Sequence, residues 1–443
     1  MIDLPTLDRR IREAHAAVAS ALAELDRLKP EERPDFTSDA FGARRDVAGQ
    51  STFVGLRELS PIAYEVPLRD GLVRWVHELL QTRVGWDLLI DEANARHLPD
   101  PSLPRNAVGI ARTFEEARRD LLVATHPVAI DGALERLAVL AVPVVAVRSE
   151  LRARRQEVAS RLGIGPWTLA TDGKDIAALA TRVLDATEPL AAELHRREQK
   201  SDEPGSLAAR SIASGYARDA VHGWPAHLTA RWLEDVFQTV APRTPNDVAM
   251  PEALGGASFL RAAWTWGRAL RLGSVPRSLP FGLARDPYPV EAFAHGALLA
   301  SVVAGPVFAK RKLGLSGKVA EAQARPLARA LFLALRRQAA SVVGIDEDLS
   351  ARLHGVPLPS SLRALGTFSG NDRVDGPARL LGLLRGDRLA RSLVERHDVD
   401  WFDNPRAASH LAAIAAGPVW TPMTDDEDAG LAVLVKGFEE RLG

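Results

Sequence analysis

The amino-acid sequence predicts an all-α, multi-helix fold, and three observations predict it. Apolar residues return every three or four positions through most of the chain, strand-like alternation is almost absent, and capping residues stand where the periodic stretches begin and end. A chain of 443 residues is too long for one ordinary core, so two helical domains are expected. The polar run from Glu198 to Ser206 has no apolar period and reads as their boundary. The expected division is an N-terminal helical domain over 1–199 and a C-terminal one over 206–443, the latter packed around a central apolar helix at about 290–309. No fixed-period repeat supports a solenoid.

Each element follows from local chemistry. Leu4, Leu7, Ile11, Ala14, Val18, Ala21, Leu25 and Leu28 form one apolar seam on a helix that Pro30 stops. Residues 31–62 are rich in charge, Gly and Pro, and read as irregular surface chain. Helical spacing returns from Leu68 to Ala95. Thr113 and Glu116 form a capping box for a helix that ends before Pro127. The apolar stretch Leu134 to Val147 contains Pro143, where a kink or break is expected. Further helices are read over 151–162, 176–194, 207–222, 225–240 and 259–272. The stretch from Gly273 to Pro289 is a long loop too apolar for simple disorder. Helices over 316–343 and 380–394 follow the apolar run. Asn404-Pro405 opens another, which Gly417-Pro418 closes, and Thr424 with Glu427 caps the last.

Composition sets chemistries aside. The absence of cysteine excludes disulfides, a thiolate nucleophile, thiolate zinc sites and cysteine-held iron–sulfur clusters. A net charge of −1 gives no global pull toward nucleic acid or anionic lipid. The first residues carry acids and no continuous apolar core, unlike a secretory signal, and cytoplasmic residence is expected. The 292–309 run approaches bilayer length, but His295, Gly305-Pro306 and its many alanines favour a buried helix over membrane insertion.

Familiar motifs fail on inspection. Gly314-Leu-Ser-Gly-Lys318 lacks the first glycine and the final hydroxyl of a phosphate loop. Gly163-Ile-Gly165 lacks the third glycine of a dinucleotide cradle, and Gly255-Gly-Ala-Ser-Phe259 lacks the second flanking glycine of a nucleophile elbow. A zinc helix needs H-E-x-x-H; at His295, Gly296 replaces the glutamate and Leu299 the second ligand. No cofactor and no metal is expected.

Two groups of residues remain. Asp286, Glu291 and His295 are the candidate catalytic set, because Glu291 and His295 lie four apart on one helical face and a carboxylate tunes an imidazole's pKa. Arg277, Arg285 and Tyr288 on the preceding loop are candidate ligand contacts. The second group is Asp219, His222 and His227, which flank a Gly-Trp-Pro turn; residues so placed more often cap a helix end and its turn, and the sharper reading makes His222 and His227 ligand-binding. Trp224, Trp232, Trp264 and Trp266 read as core walls.

Charge is uneven. From Lys310 to Arg337 there are eight basic residues and one acid, whereas Glu395 to Arg441 holds ten acids and four bases. These read either as an external binding face or as regions that dock on one another. The functional expectation is a helical scaffold or protein–protein interaction protein whose partner is another protein. The alternatives are a metal-independent enzyme, such as a hydrolase, or small-ligand binder using Glu291 and His295, and a nucleic-acid or membrane-surface binder through 310–337, which the lack of interleaved aromatics disfavours.

Overall fold

The computed structural model describes residues 2–100, 113–123, 127–165, 168–171, 173–200, 232, 235–238, 256–344, 347–366, 376–417, 423 and 430–443. All regular structure among them is helical. In chain order the principal helices of the first third are α1 (Leu4–Arg27), α2 (Gln50–Glu58), α3 (Val66–Val84), α4 (Trp86–His97) and α5 (Phe114–Val123). They are followed by α6 (Pro127–Arg161), α7 (Ile176–Gln199), α8 (Gly256–Gly273), the single turn α9 (Phe281–Ala284) and α10 (Val290–Val303). The rest are α11 (Pro306–Leu313), α12 (Gly317–Val343), α13 (Glu347–His354), α14 (Gly376–His397), α15 (Pro405–Ala415) and α16 (Leu431–Leu442).

Contacts gather the chain into two units that are not consecutive. The first comprises Met1–Ala117, Val139–Gly173 and Pro276–Tyr288; the second comprises Arg118–Ala138, Lys174–Val275 and Pro289–Gly443. The polar segment after Glu198 falls inside the second unit, and its residues from 201 onward lie outside the described ones.

In the first unit the α1 seam is buried from Leu4 to Leu25 as its spacing predicts, against α3. The 31–62 segment is less superficial than its charge suggests: Phe41, Val47, Phe53 and Leu56 are core residues, the last two on α2. The 68–95 stretch is two helices rather than one. They part at Gly85, where a methyl group would stand 2.2 Å from Leu151 Cδ1, so a neighbouring side chain occupies the space a Cβ needs. Pro143 does not break its helix, since α6 runs through it. Val139 and Pro143 face solvent, where water can satisfy the carbonyl that the proline leaves without a donor. The Thr113 box forms, with Thr113 N–H donating to Glu116 at 2.8 Å.

In the second unit the apolar run is bent. It forms α10 and α11 at 67° to one another, because Pro306 cannot donate to the carbonyl four residues back and instead starts a new helix after Gly305. No single described helix is long and apolar enough to cross a membrane. Only Glu291, Ser301 and Val302 of α10 escape full burial. Asn404 caps α15 by accepting from Arg406 N–H, whereas the expected Thr424 box lies outside the described residues.

Small residues let α8 and α14 reach the α10 backbone. A methyl on Gly267 of α8 would lie 2.1 Å from the His295 carbonyl oxygen. On α14, one on Gly382 would lie 2.4 Å from Phe293 Cβ, and one on Gly386 would lie 2.5 Å from Ala297 Cβ. These helices touch through glycine, and nothing larger fits.

Gly386→Ala is expected to destabilise the second unit by about 2 kcal/mol, the order found for overpacked cores, seen as a lower denaturant midpoint. Gly317→Ala is the control: open space surrounds that glycine at the start of α12, and the substitution leaves the midpoint equal or higher. Equal losses for the two would contradict the close-approach account.

Candidate functional site

The long loop before α10 is a strap laid along α3. Asp8 of α1 accepts from the backbone N–H groups of Phe281 (2.9 Å) and Gly282 (2.7 Å), satisfying donors that the short α9 leaves free. A methyl on Gly71 of α3 would strike the Gly282 carbonyl oxygen at 2.1 Å. One turn on, Arg74 donates to both carboxylate oxygens of Asp286, each at 2.8 Å from Nη2. Trp75 Nε1 donates to the Arg285 carbonyl at 2.8 Å, and its ring packs with Phe281 and His15. Successive turns of one helix face thus read successive residues of the strap.

At the strap's end the Tyr288 hydroxyl lies 2.7 Å from His77 Nδ1, and His77 Nε2 lies 2.9 Å from the Gln81 amide. Burial lowers His77 to about pKa 4, and burial raises the Tyr288 phenol well above its usual value. Near neutrality the imidazole is uncharged and the phenol protonated. The atom facing His77 Nε2 is the Gln81 amide nitrogen, which donates, so Nε2 accepts and the proton of the neutral ring sits on Nδ1, which donates to the Tyr288 hydroxyl oxygen. The Arg74 guanidinium lies 5.6 Å from the Tyr288 ring centroid, which adds a cation–π contact.

The expected catalytic set is distributed between the two units. Asp286 and Tyr288 belong to the first, where Asp286 serves Arg74 and also accepts from Tyr288 N–H at 3.1 Å. Arg277 is exposed. Arg285 is half-buried and donates to the Ala284 carbonyl, and burial lowers its pKa. Glu291 and His295 belong to the second unit, but their side chains do not form the expected acid–imidazole pair. The Glu291 carboxylate accepts from Arg385 Nη1 of α14 at 2.6 Å. The His295 ring instead lies 2.8 Å from the Glu291 backbone carbonyl through Nδ1. A carbonyl only accepts, so Nδ1 carries the proton and Nε2 is a buried acceptor without a partner among the described residues. Burial lowers His295 to about 4 despite that carbonyl. His222 and His227, with Asp219 and Trp224, lie outside the described residues.

Arg74, His77, Gln81 and Arg385 were not legible as site residues. They sit at helical positions that otherwise carry core residues, and the available signal was a buried face interrupted by polar groups. Trp264 packs on Phe293 and Trp266 on Phe237, as walls of the second unit's core. The basic segment meets acids within the same unit. Arg311 pairs with Asp400 at 2.5 Å, Lys312 with Asp403, Arg329 with Glu198, and buried Arg336 donates to Thr187 and Glu188. Lys318 and Arg325 are exposed. Among the described residues no three histidine or carboxylate side chains gather as a metal-holding group.

No family model matches this chain, and no curated protein matches it. Among solved structures it is similar to PZ peptidase A with inhibitor 2, at 11% identity and a TM-score of 0.47, over 98% of this chain and 97% of that one. No activity follows from a likeness of that degree.

The buried imidazoles make stability depend on pH. His295 binds a proton near 6.5 in the unfolded chain and near 4 in the folded one, so between these values the unfolded state holds more protons. Stability is full above 6.5 and falls as pH drops toward 4. His295→Leu removes one such contribution, about 3 kcal/mol. Its denaturant midpoint is expected to change less than the unsubstituted protein's between pH 7 and pH 4. An unaltered acid dependence would contradict the burial of a neutral His295.

Proposed function

We propose that this chain is a helical scaffold that binds another protein in the cytoplasm and performs no catalysis of its own. The observation that supports this reading most directly is how the reactive groups are spent. Asp286 is held by Arg74, Glu291 by Arg385, and His295 is enclosed, neutral and bonded to its own helix. A general base has to reach its substrate's proton, and these groups point into the protein.

The first unit supplies surface of the opposite kind. Tyr64 is 79% exposed and Ile62 54% exposed, both on the short connection before α3. Val139 and Val142, neighbours on one face of α6, are exposed as well. Aromatic and aliphatic side chains held in water by ordered backbone are the anchors that protein interfaces use.

The test is site-specific photocrosslinking in the producing cell, with a benzophenone amino acid at position 64 or 142. The expected result is one partner at fixed stoichiometry, lost when Ile62→Asp or Val139→Asp is added. Absence of any crosslink, together with turnover on a panel of esters and peptides that His295→Gln abolishes, would replace the scaffold reading with the enzymatic one.

A further inference from the structure

The turn between α14 and α15 brings together two histidines that belong to none of the constellations described above. His397 is the last residue of α14, and Asp398, in the left-handed region at φ 75°, turns the chain there. Asn404 then caps α15, which brings His410 beside His397. His397 Nε2 lies 3.1 Å from His410 Nδ1, and Arg396 Nη1 lies 2.8 Å from His410 Nε2. The ring centroids are 5.3 Å apart, close to the most that such a contact permits, so the two facing nitrogens point nearly straight at each other. Both rings are half-buried and reach solvent.

These contacts fix the protons. A guanidinium only donates, so His410 Nε2 accepts from Arg396 and the proton of the neutral ring sits on Nδ1. That N–H donates to His397 Nε2, which leaves the His397 proton on Nδ1. A further proton on His410 Nε2 opposes the Arg396 N–H, and one on His397 Nε2 opposes the His410 N–H. Burial lowers the His410 pKa, and the charges of Arg396 and His397 lower it further. The other charges around the turn are already engaged or stand apart. Asp400 pairs with Arg311 of α11 and Asp403 with Lys312, Asp398 accepts from Val399 N–H, and Arg406 is exposed on the first turn of α15.

We propose that the His397–His410 contact is an acid-released latch between α14 and α15, closed while both rings are neutral and opened by one added proton. His410 binds a proton less readily in the closed latch than in a free chain, where its value is 6.5. The latch therefore contributes its full stability above 6.5 and loses it as pH falls through the lowered value. Release is local. Arg271 of α8 still holds the Ala415 and Gly417 carbonyls, and the Arg311 and Lys312 pairs still hold the turn. The latch is independent of the scaffold reading, since no residue of the exposed first-unit surface takes part.

The test is nitrogen NMR of the full chain labelled at histidine, followed from pH 8 to pH 5, with amide exchange of α15 measured alongside. At pH 8 both rings are expected with the proton on Nδ1 and Nε2 bare, and His410 is expected to titrate below 6.5. Across that midpoint the protection of the amides from Ala407 to Ala413, corrected for intrinsic rate, falls about tenfold, the order of one net hydrogen bond, while that of Ala294 to Leu299 does not move. Arg396→Gln offers His410 Nε2 an acceptor as well as a donor, so the protonated ring stays in the contact; the His410 midpoint rises and α15 protection persists to pH 5. His397→Ala removes the contact, and α15 protection is low at both ends of the range. An Nε2–H form of His410 at pH 8, a His410 midpoint at or above 6.5, or the same acid step in Arg396→Gln would overturn the latch, and the first two outcomes need no variant.

Discussion

The close approach of α8 and α14 to α10 governs the second unit. Gly267, Gly382 and Gly386 bring two helices onto the backbone of a third, so the contact is set by main-chain atoms and not by adjustable side chains. Dispersion contacts are densest at that distance, and the geometry has no slack for a methyl group. The fate of the nearby polar groups follows. With α14 held in this register, Arg385 reaches the Glu291 carboxylate at 2.6 Å. With Gly267 against its carbonyl, His295 has its ring sealed among buried residues of α10 and loses its charge. A residue pair that would be reactive on an open helix becomes part of the interior.

The first unit solves a similar packing problem with polar pins. Residues 281–288 pack Phe281 and Tyr288 against the unit's core, and α1 and α3 add hydrogen bonds along the same stretch. Asp8, Arg74, Trp75 and His77 each take one segment of the strap. A buried ion pair such as Arg74–Asp286 adds little net stability over an apolar pair of the same shape, but it punishes any other register, because a shifted strap would strand a buried charge. The same logic explains why Tyr288 is fully buried yet satisfied at its hydroxyl.

Much of the helical content was legible in the sequence, because the 3.6-residue period is a local signal. The α1 seam, the Thr113 box and the Asn404 cap depend only on residues within a turn or two of one another. The errors fell where distant residues decide. At Gly85, between α3 and α4, the space a Cβ would need is taken by Leu151, a residue far along the chain. Pro143 stays helical because its side of α6 faces water, which spacing cannot report. In the candidate site, Asp286 and Glu291 were visible as acids, but their partners Arg74 and Arg385 stand 212 and 94 residues away, beyond the reach of motif reasoning. The Glu291–His295 spacing places both on one face, yet rotamer choice and a competing guanidinium decide which atoms meet.

Native-state hydrogen exchange is the direct measurement of the constraint at α10. A helix clamped on two sides by backbone contact exposes its amides only when the whole unit opens. The account predicts that Ala294 to Leu299 exchange last in the second unit, with the free energy of its global unfolding, and later than amides of the peripheral helix α11. Exchange of those six amides through a low-energy local opening, at or before the rate of α11, would contradict it.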